Sequence, residues 1–214
     1  MARILITSGP TRQYLDPVRF LTNGSSGRMG AALAAAALAA GHEVLVVSGP
    51  VEVDYPPAAE VLPVVSTEEM LQACQQAFPR CDGLIAVAAP CDYRPQQIAT
   101  HKIRKDGQPL ILELVETPDI VASLAADKAA RWIVAFALET EDPRFRALQK
   151  LERKNCDLIC VNGPAAMHAT STAVEILAPG GTLVAALSGT KAQVAAGIIS
   201  AIGQRLLKPQ ASGP

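Results

Sequence analysis

Short apolar runs alternate with helical patterns through most of this chain, and that alternation narrows the fold more than any other feature. Arg3–Thr7, Glu43–Val47, Val61–Val65, Gly83–Ala88, Trp132–Ala137 and Leu158–Val161 read as strands. Ser26–Ala40 reads as a helix stopped by Gly41. Ser66-x-x-Glu69 is a capping box that opens another, Thr117-Pro118 an N-cap followed by proline at the first helical position, and a charged helix runs from about Pro143 to Lys154. A βαβα series predicts a parallel sheet with right-handed crossovers, that is, a doubly wound, Rossmann-like α/β fold. Composition agrees. Half the residues are apolar, yet there are only one Trp, three Tyr and four Phe. Such an aliphatic core suits parallel strands covered by Ala-rich helices.

Two stretches depart from the alternation and predict antiparallel additions. Asp106-Gly107 lies between strand-like segments in Lys102–Leu114, and Pro179-Gly180-Gly181 lies between Val174–Leu177 and Thr182–Leu187. The 214 residues are expected to form one domain over 1–207, with 208–214 as a disordered tail. A net charge of -1 gives no reason to expect nucleic acid. The five cysteines form no spaced framework, which argues for a reducing, cytoplasmic setting. Cys156 and Cys160, four apart on an expected strand, should point to one face as core thiols. No further Cys or His stands near them to complete a metal site, and no metal-ligating residues are assigned. The first six residues are too short for a signal peptide, and no apolar run reads as a membrane span.

The turn after the first strand is the most informative segment. Gly24-Ser25-Ser26-Gly27-Arg28-Met29-Gly30 precedes a helix, and backbone amides with small residues and hydroxyls there favour an anion, here a nucleotide phosphate. Gly30 should let the helix pack close to the sheet. The bland reading is a capped helix after an ordinary turn. The spacing is neither Gly-x-Gly-x-x-Gly nor a P-loop, so any nucleotide site is of another type. The fourth strand ends in Ala88-Ala89-Pro90-Cys91-Asp92, and in open α/β sheets ligands lie beyond the carboxyl ends of strands. Asp92 is either a site residue or a turn cap. Lys102-Ile103-Arg104-Lys105 is either a charged edge strand or a mobile flap over phosphates. Arg146, Lys150 and Lys154 recur every four residues, which is unfavourable on a helix unless an anion or the helix dipole offsets it.

Taken together, these segments resemble the phosphopantothenate–cysteine ligase family of coenzyme A biosynthesis. The resemblance rests on Ile6-Thr7-Ser8-Gly9-Pro10-Thr11, Asp16-Pro17-Val18-Arg19-Phe20, Asn23-x-Ser25-Ser26-Gly27-Arg28-Met29-Gly30, Asp92-Tyr93-Arg94, Lys102-Ile103-Arg104-Lys105, Pro118-Asp119-Ile120-Val121, Phe136-x-x-Glu139-Thr140 and Lys154-Asn155-x-Asp157-Leu158-Ile159-Cys160. They fall in the family's order from Arg3 to about Asn162. The family departs from this chain at Pro90-Cys91 and again after Asn162, where the segment is shorter.

The resemblance implies a ligase that joins 4′-phosphopantothenate to cysteine through an acyl-nucleotidyl intermediate. CTP is expected as cosubstrate, with Mg²⁺ and without flavin, in a cytoplasmic homodimer that engages neither nucleic acid nor membrane. By resemblance Asn23 holds the activated acyl group and Lys102 acts with it in catalysis. Ala88, Ala89 and Asp92 form the phosphopantothenate pocket, and Arg19 reaches the substrate phosphate from the neighbouring subunit. Gly9, Ser25, Ser26, Gly27, Gly30, Asp92, Lys102, Pro118, Asp119, Ile120, Val121, Phe136, Lys150, Lys154 and Asn162 match nucleotide contacts. The competing readings are an NAD(P)-dependent reductase, whose fingerprint and Tyr-x-x-x-Lys pair the sequence lacks, and a non-catalytic nucleotide-binding homologue. The decarboxylase often fused ahead of this domain is absent from the 214 residues, which suits either a stand-alone ligase or an excised domain.

Overall fold

A computed structural model describes residues 1–138, 141–162 and 171–207. The Glu139-Thr140 pair of the resemblance, residues 163–170 of the altered segment that runs from Gly163 to Thr172, and the tail at 208–214 lie outside the described residues.

The chain runs β1 (Arg3–Ser8), β2 (Arg12–Tyr14), β3 (Phe20–Thr22), α1 (Arg28–Ala39), β4 (Glu43–Ser48), β5 (Glu60–Pro63), α2 (Thr67–Ala77), β6 (Gly83–Ala86), β7 (Tyr93–Pro95), β8 (Leu114–Glu116), α3 (Ile120–Ala126), β9 (Trp132–Leu138), α4 (Pro143–Arg153), β10 (Leu158–Asn162), β11 (Ser171–Leu177), β12 (Leu183–Thr190) and α5 (Lys191–Arg205). The main sheet has the order β12-β11-β10-β9-β6-β1-β4-β5. From β5 to β10 the strands are parallel, whereas β11 and β12 are antiparallel to their neighbours. The doubly wound fold is therefore as the alternation predicts, and the Pro179-Gly180-Gly181 hairpin extends it at one edge.

Strand alternation divides the core between two faces. Ile4, Ile6, Val46 and Val134 pack under α1 and α5, with Leu33, Ala37, Ile198 and Ile202. Leu5, Leu45, Leu84 and Ile133 pack under α2, α3 and α4, with Met70, Leu124 and Leu151. One large side chain fits only because its neighbour has none: Trp132 pairs in register with Gly83, where a Cβ would stand 2.0 Å from the indole ring.

Four expectations need correcting. Cys156 precedes β10 and packs with the α2–α4 side, while Cys160 packs with the α1–α5 side. The parity rule fails because the chain bends at Asp157, between Cys156 and the first residue of β10, so strand alternation does not extend back to Cys156. Both thiols are buried, and burial pushes Cys156 up to about 11 and Cys160 higher still. The cap of α3 is Asp119, whose side chain accepts the Ala122 N–H at 3.1 Å. Thr117 is drawn away from capping, because its hydroxyl donates to the Cys91 carbonyl at 2.6 Å. The Lys102–Leu114 hairpin is displaced outward, with pairing confined to β7 and β8. Lys102–Lys105 form no strand, since residues 104–114 are exposed and have no packed face to hold them in register. Finally, Arg146 leaves the cationic stripe and pairs with Glu141 at 2.8 Å, both side chains being exposed. At Ser66 the capping box forms with a shift: Ser66 Oγ accepts the Glu69 N–H, and Glu69 reaches back to the Val65 N–H.

Candidate active site

Strand order reverses at β1, which lies between β4 and β6, and the carboxyl ends of β1 and β6 therefore open a crevice. The segment after β6 crosses this crevice as a shelf. The Ala88 N–H points to Thr7 Oγ1, the Ala89 N–H donates to the Gly9 carbonyl at 2.9 Å, and the Cys91 N–H donates to Thr11 Oγ1 at 2.8 Å. Thr11 is fully buried, and its hydroxyl also shares a hydrogen bond with that of Thr67 at 2.8 Å. The Thr7–Thr11 motif thus fixes the backbone of Ala88–Cys91. Cys91 turns its thiol inward toward the Thr11 and Leu21 carbonyls, and burial raises its pKa.

Two hollows flank the shelf. The first, about 650 Å³, lies on the α2–α4 side between the start of α3 and the end of α4. It brings together Ala88, Asp92, Pro118, Asp119, Ile120, Val121, Phe136, Lys150 and Lys154. The second, about 520 Å³, lies against the Asn23–Gly30 turn. It brings together Asn23, Ser25, Ser26, Gly27, Gly30, Ala88, Ala89, Asp92, Phe136, Lys150 and Asn162. Gly9, Arg19 and Lys102 line neither hollow.

Each placement has a local cause. Gly27 caps α1 in the left-handed conformation, at φ 73°, and supplies no side-chain cap. The first-turn amides of α1 are left to other acceptors. Gly30 packs directly on β1, where a Cβ would come within 2.0 Å of Ser8 Oγ. The Asn23 side-chain amide donates to the Pro90 carbonyl at 2.8 Å, and so joins the turn to the shelf. Gly9 holds the shelf from behind and faces Val51, whose Cγ1 would be 2.6 Å from a Cβ there. Lys150 Nζ lies 3.3 Å from the Phe136 carbonyl, and Lys154 Nζ pairs with Asp119 at 2.8 Å. Burial alone would raise the Asp119 pKa, but Lys154 and the Ala122 N–H outweigh it and hold the carboxyl below its ordinary value.

Arg19 has a different setting. Its guanidinium pairs with Asp16, whose carboxylate is wholly buried, and donates to the Ile103 carbonyl at 2.6 Å. Asp16 also accepts the Val18, Arg19 and Ile103 N–H groups. Desolvation would raise its pKa, yet these donors hold it far below the usual carboxylate range. The Asp16–Arg19 turn therefore moors the loop that carries exposed Lys102.

Sequence reasoning does not reach Thr172 and Lys191, which complete the second hollow. The readable signal is Thr190-x-x-Gln193, a capping box that marks a helix start. Among the described residues, no three His, Cys, Asp or Glu side chains gather as a metal site.

Residues 1–206 match the DNA/pantothenate metabolism flavoprotein C-terminal domain family. The chain belongs to that family. Among curated relatives, the Coenzyme A biosynthesis bifunctional protein CoaBC of Vibrio cholerae is 49% identical over 163 residues, 75% of this chain and 41% of the relative. Its counterpart in Vibrio parahaemolyticus is 41% identical over 196 residues, 88% of this chain and 49% of the relative. The chain thus spans less than half the length of these two relatives. The crystal structure of a CoaBC C-terminal domain is 36% identical, has a TM-score of 0.82, and covers 96% of this chain and 95% of its own. In this member of the flavoprotein C-terminal domain family the two hollows share Ala88, Pro90, Asp92, Phe136 and Lys150. A ligand in one can therefore meet a ligand in the other across the shelf.

Proposed function

We propose that this domain is a phosphopantothenate–cysteine ligase that uses CTP. The observation that carries the reading is the pair of hollows meeting at the shelf, with phosphate-binding features on both sides and Asn23 at the junction. The nucleotide occupies the first hollow, against Pro118–Val121, Phe136 and Lys154. Its phosphates reach Lys150 and the α1 turn at Ser25–Gly27, where backbone amides favour anions. The phosphopantothenate carboxylate lies beside Asn23 and Ala88–Ala89. A carboxylate oxygen attacks the α-phosphorus and pyrophosphate leaves. The cysteine amine then attacks the acyl carbon, loses a proton and expels CMP. No protein nucleophile is needed, so the residues act by positioning and charge stabilisation.

Mg²⁺ fits this site as an ion carried by the triphosphate. Asp119 is engaged by Lys154, which leaves Asp92 and Glu116 as the lining carboxylates that would hold the ion beside phosphate oxygens. When bound, it neutralises triphosphate charge. The domain acts as a homodimer in which Arg19 serves the neighbouring site, and its side chain is over a third exposed beyond the Asp16 contact. Mixed Arg19→Ala and Asn23→Ala proteins should recover activity after subunit exchange. No recovery after proven exchange overturns the shared site.

The test of the reaction is pyrophosphate release with phosphopantothenate and either CTP or ATP, with and without cysteine. Release that requires phosphopantothenate, is faster with CTP, and yields the cysteine adduct only when cysteine is added is the expected result. Nucleotide binding without release makes the domain a non-catalytic homologue.

A further inference from the structure

The second hollow ends in a set of donors that the ligase reading leaves unused. Because β11 and β12 each reverse direction, β12 runs parallel to β10 and finishes at the same end of the sheet. The start of α5 therefore stands beside the hollow, across from the start of α1. Thr172, on β11, pairs in register with Gly189, just before that start. It is 6% exposed and lines the hollow, and among the described residues its hydroxyl has no hydrogen-bond partner. Native proteins rarely leave a buried hydroxyl unsatisfied, so an orphan facing a hollow marks a missing ligand.

Three further observations state which ligand. Lys191 lines the same end of the hollow. The capping box of α5 engages the Thr190 and Gln193 N–H groups, and helix geometry gives the Ala192 N–H no acceptor within the helix. The described lining carries Arg28, Lys150 and Lys191 against one carboxylate, Asp92. Hydroxyl, ammonium and helix N-terminus together suit a tetrahedral oxyanion.

We propose that Thr172, Lys191 and the first turn of α5 form a phosphate subsite, separate from the α1 turn at the opposite side of the hollow. Its occupant is a phosphate dianion. Within the ligase reading, on which this assignment of sources rests, that is either the phosphate end of the acyl substrate or the pyrophosphoryl end of the nucleotide.

The probe that needs no ligase activity is inorganic phosphate, followed by ³¹P line broadening on the full chain. The parent and Thr172→Ser should bind it, and Thr172→Val should weaken it about tenfold, as loss of a hydrogen bond to a charged group requires. Lys191→Gln gives a second variant that leaves the buried position intact, and it should also weaken binding. Titrations of Thr172→Val then separate the sources. Weaker phosphopantothenate but unchanged pantothenate identifies the acyl substrate, and weaker CTP but unchanged CMP identifies the nucleotide. Phosphate binding that is equal in parent, Thr172→Val and Lys191→Gln overturns the subsite and leaves water as the partner of Thr172. Thr172-dependent phosphate binding without any pyrophosphate release keeps the subsite and defeats the ligase reading alone.

Discussion

The shelf at Val87–Cys91 lines both hollows and the loop at Lys102–Gln108 lines neither, and the two are built in opposite ways. The buried Thr7 and Thr11 hydroxyls face the shelf N–H groups of Ala88, at 3.4 Å, and Cys91, at 2.8 Å. The loop is exposed from Arg104 onward, and the Asp16–Arg19 turn moors it at Ile103. Under the ligase reading the two would have separate tasks. A backbone fixed from behind sets where a reacting carbon stands, and misplacement by about 1 Å can cost ~10²-fold in rate. A segment with little buried surface costs little to move.

The hardest way to break the contrast is Thr11→Val. It leaves the buried Cys91 N–H without its acceptor and should destabilise the fold by about 1–3 kcal/mol. Denaturant melting measures that loss, and pyrophosphate release should fall with it. Unchanged stability and turnover would show that the shelf needs no such support. Asn23→Ala removes the amide at the junction. Stability should stay within about 0.5 kcal/mol because the side chain is exposed. Nucleotide binding should hold while ligation falls on the order of 10²-fold, and normal turnover would remove Asn23 from the reaction.

Lys102→Gln sharpens the contrast from the loop side. Being exposed, Lys102 should be silent in melting, while single-turnover pyrophosphate release slows about tenfold, a modest loss for one charged donor. Capture of the intermediate by cysteine should change less. A variant that releases pyrophosphate like the parent reduces Lys102 to solvated surface. The smallest effect is expected at Lys154→Gln, in the wall facing the shelf. Asp119 has a folded pKa below its ordinary 3.8. Its contribution is therefore present above that value and lost as pH falls through the lowered one. The pair is partly exposed, so the stability difference between parent and Lys154→Gln should stay below about 1 kcal/mol at pH 7. It should shrink on acidification through the carboxylate range, and a difference that is flat with pH would reject the pairing.

What the sequence tells of this molecule follows from the range of each signal. The central strands, the tight seat of Gly30 and the capping box at Ser66 depend on a few neighbouring residues, and all are legible. The α3 cap is misplaced because Thr117 has a partner 26 positions away, at Cys91. The cationic stripe is divided because Arg146 has an acid of its own nearby, whereas Lys150 and Lys154 meet groups from β9 and α3. In the site, most of the expected nucleotide and substrate positions do converge on the two hollows. Thr172 and Lys191 escape notice because only the double reversal at the sheet edge carries them there. Gly9 and Arg19 are conspicuous in sequence, yet in the fold they grip the shelf and the loop.

That double reversal has a consequence for the order of assembly. The inner face of α1, with Leu33, Ala34 and Ala37, shares its cluster with Ile198, Ile199 and Ile202 of α5. During synthesis α1 leaves the ribosome about 160 residues before the helix that covers it. The sheet residues Ile4, Ile6 and Val46 are available to it early, but the part of its stripe that faces α5 stays uncovered until that helix arrives. Closure of the second hollow is therefore a late event of high sequence separation, and slow translation through β12 would prolong exposure of the face of α1 that α5 covers.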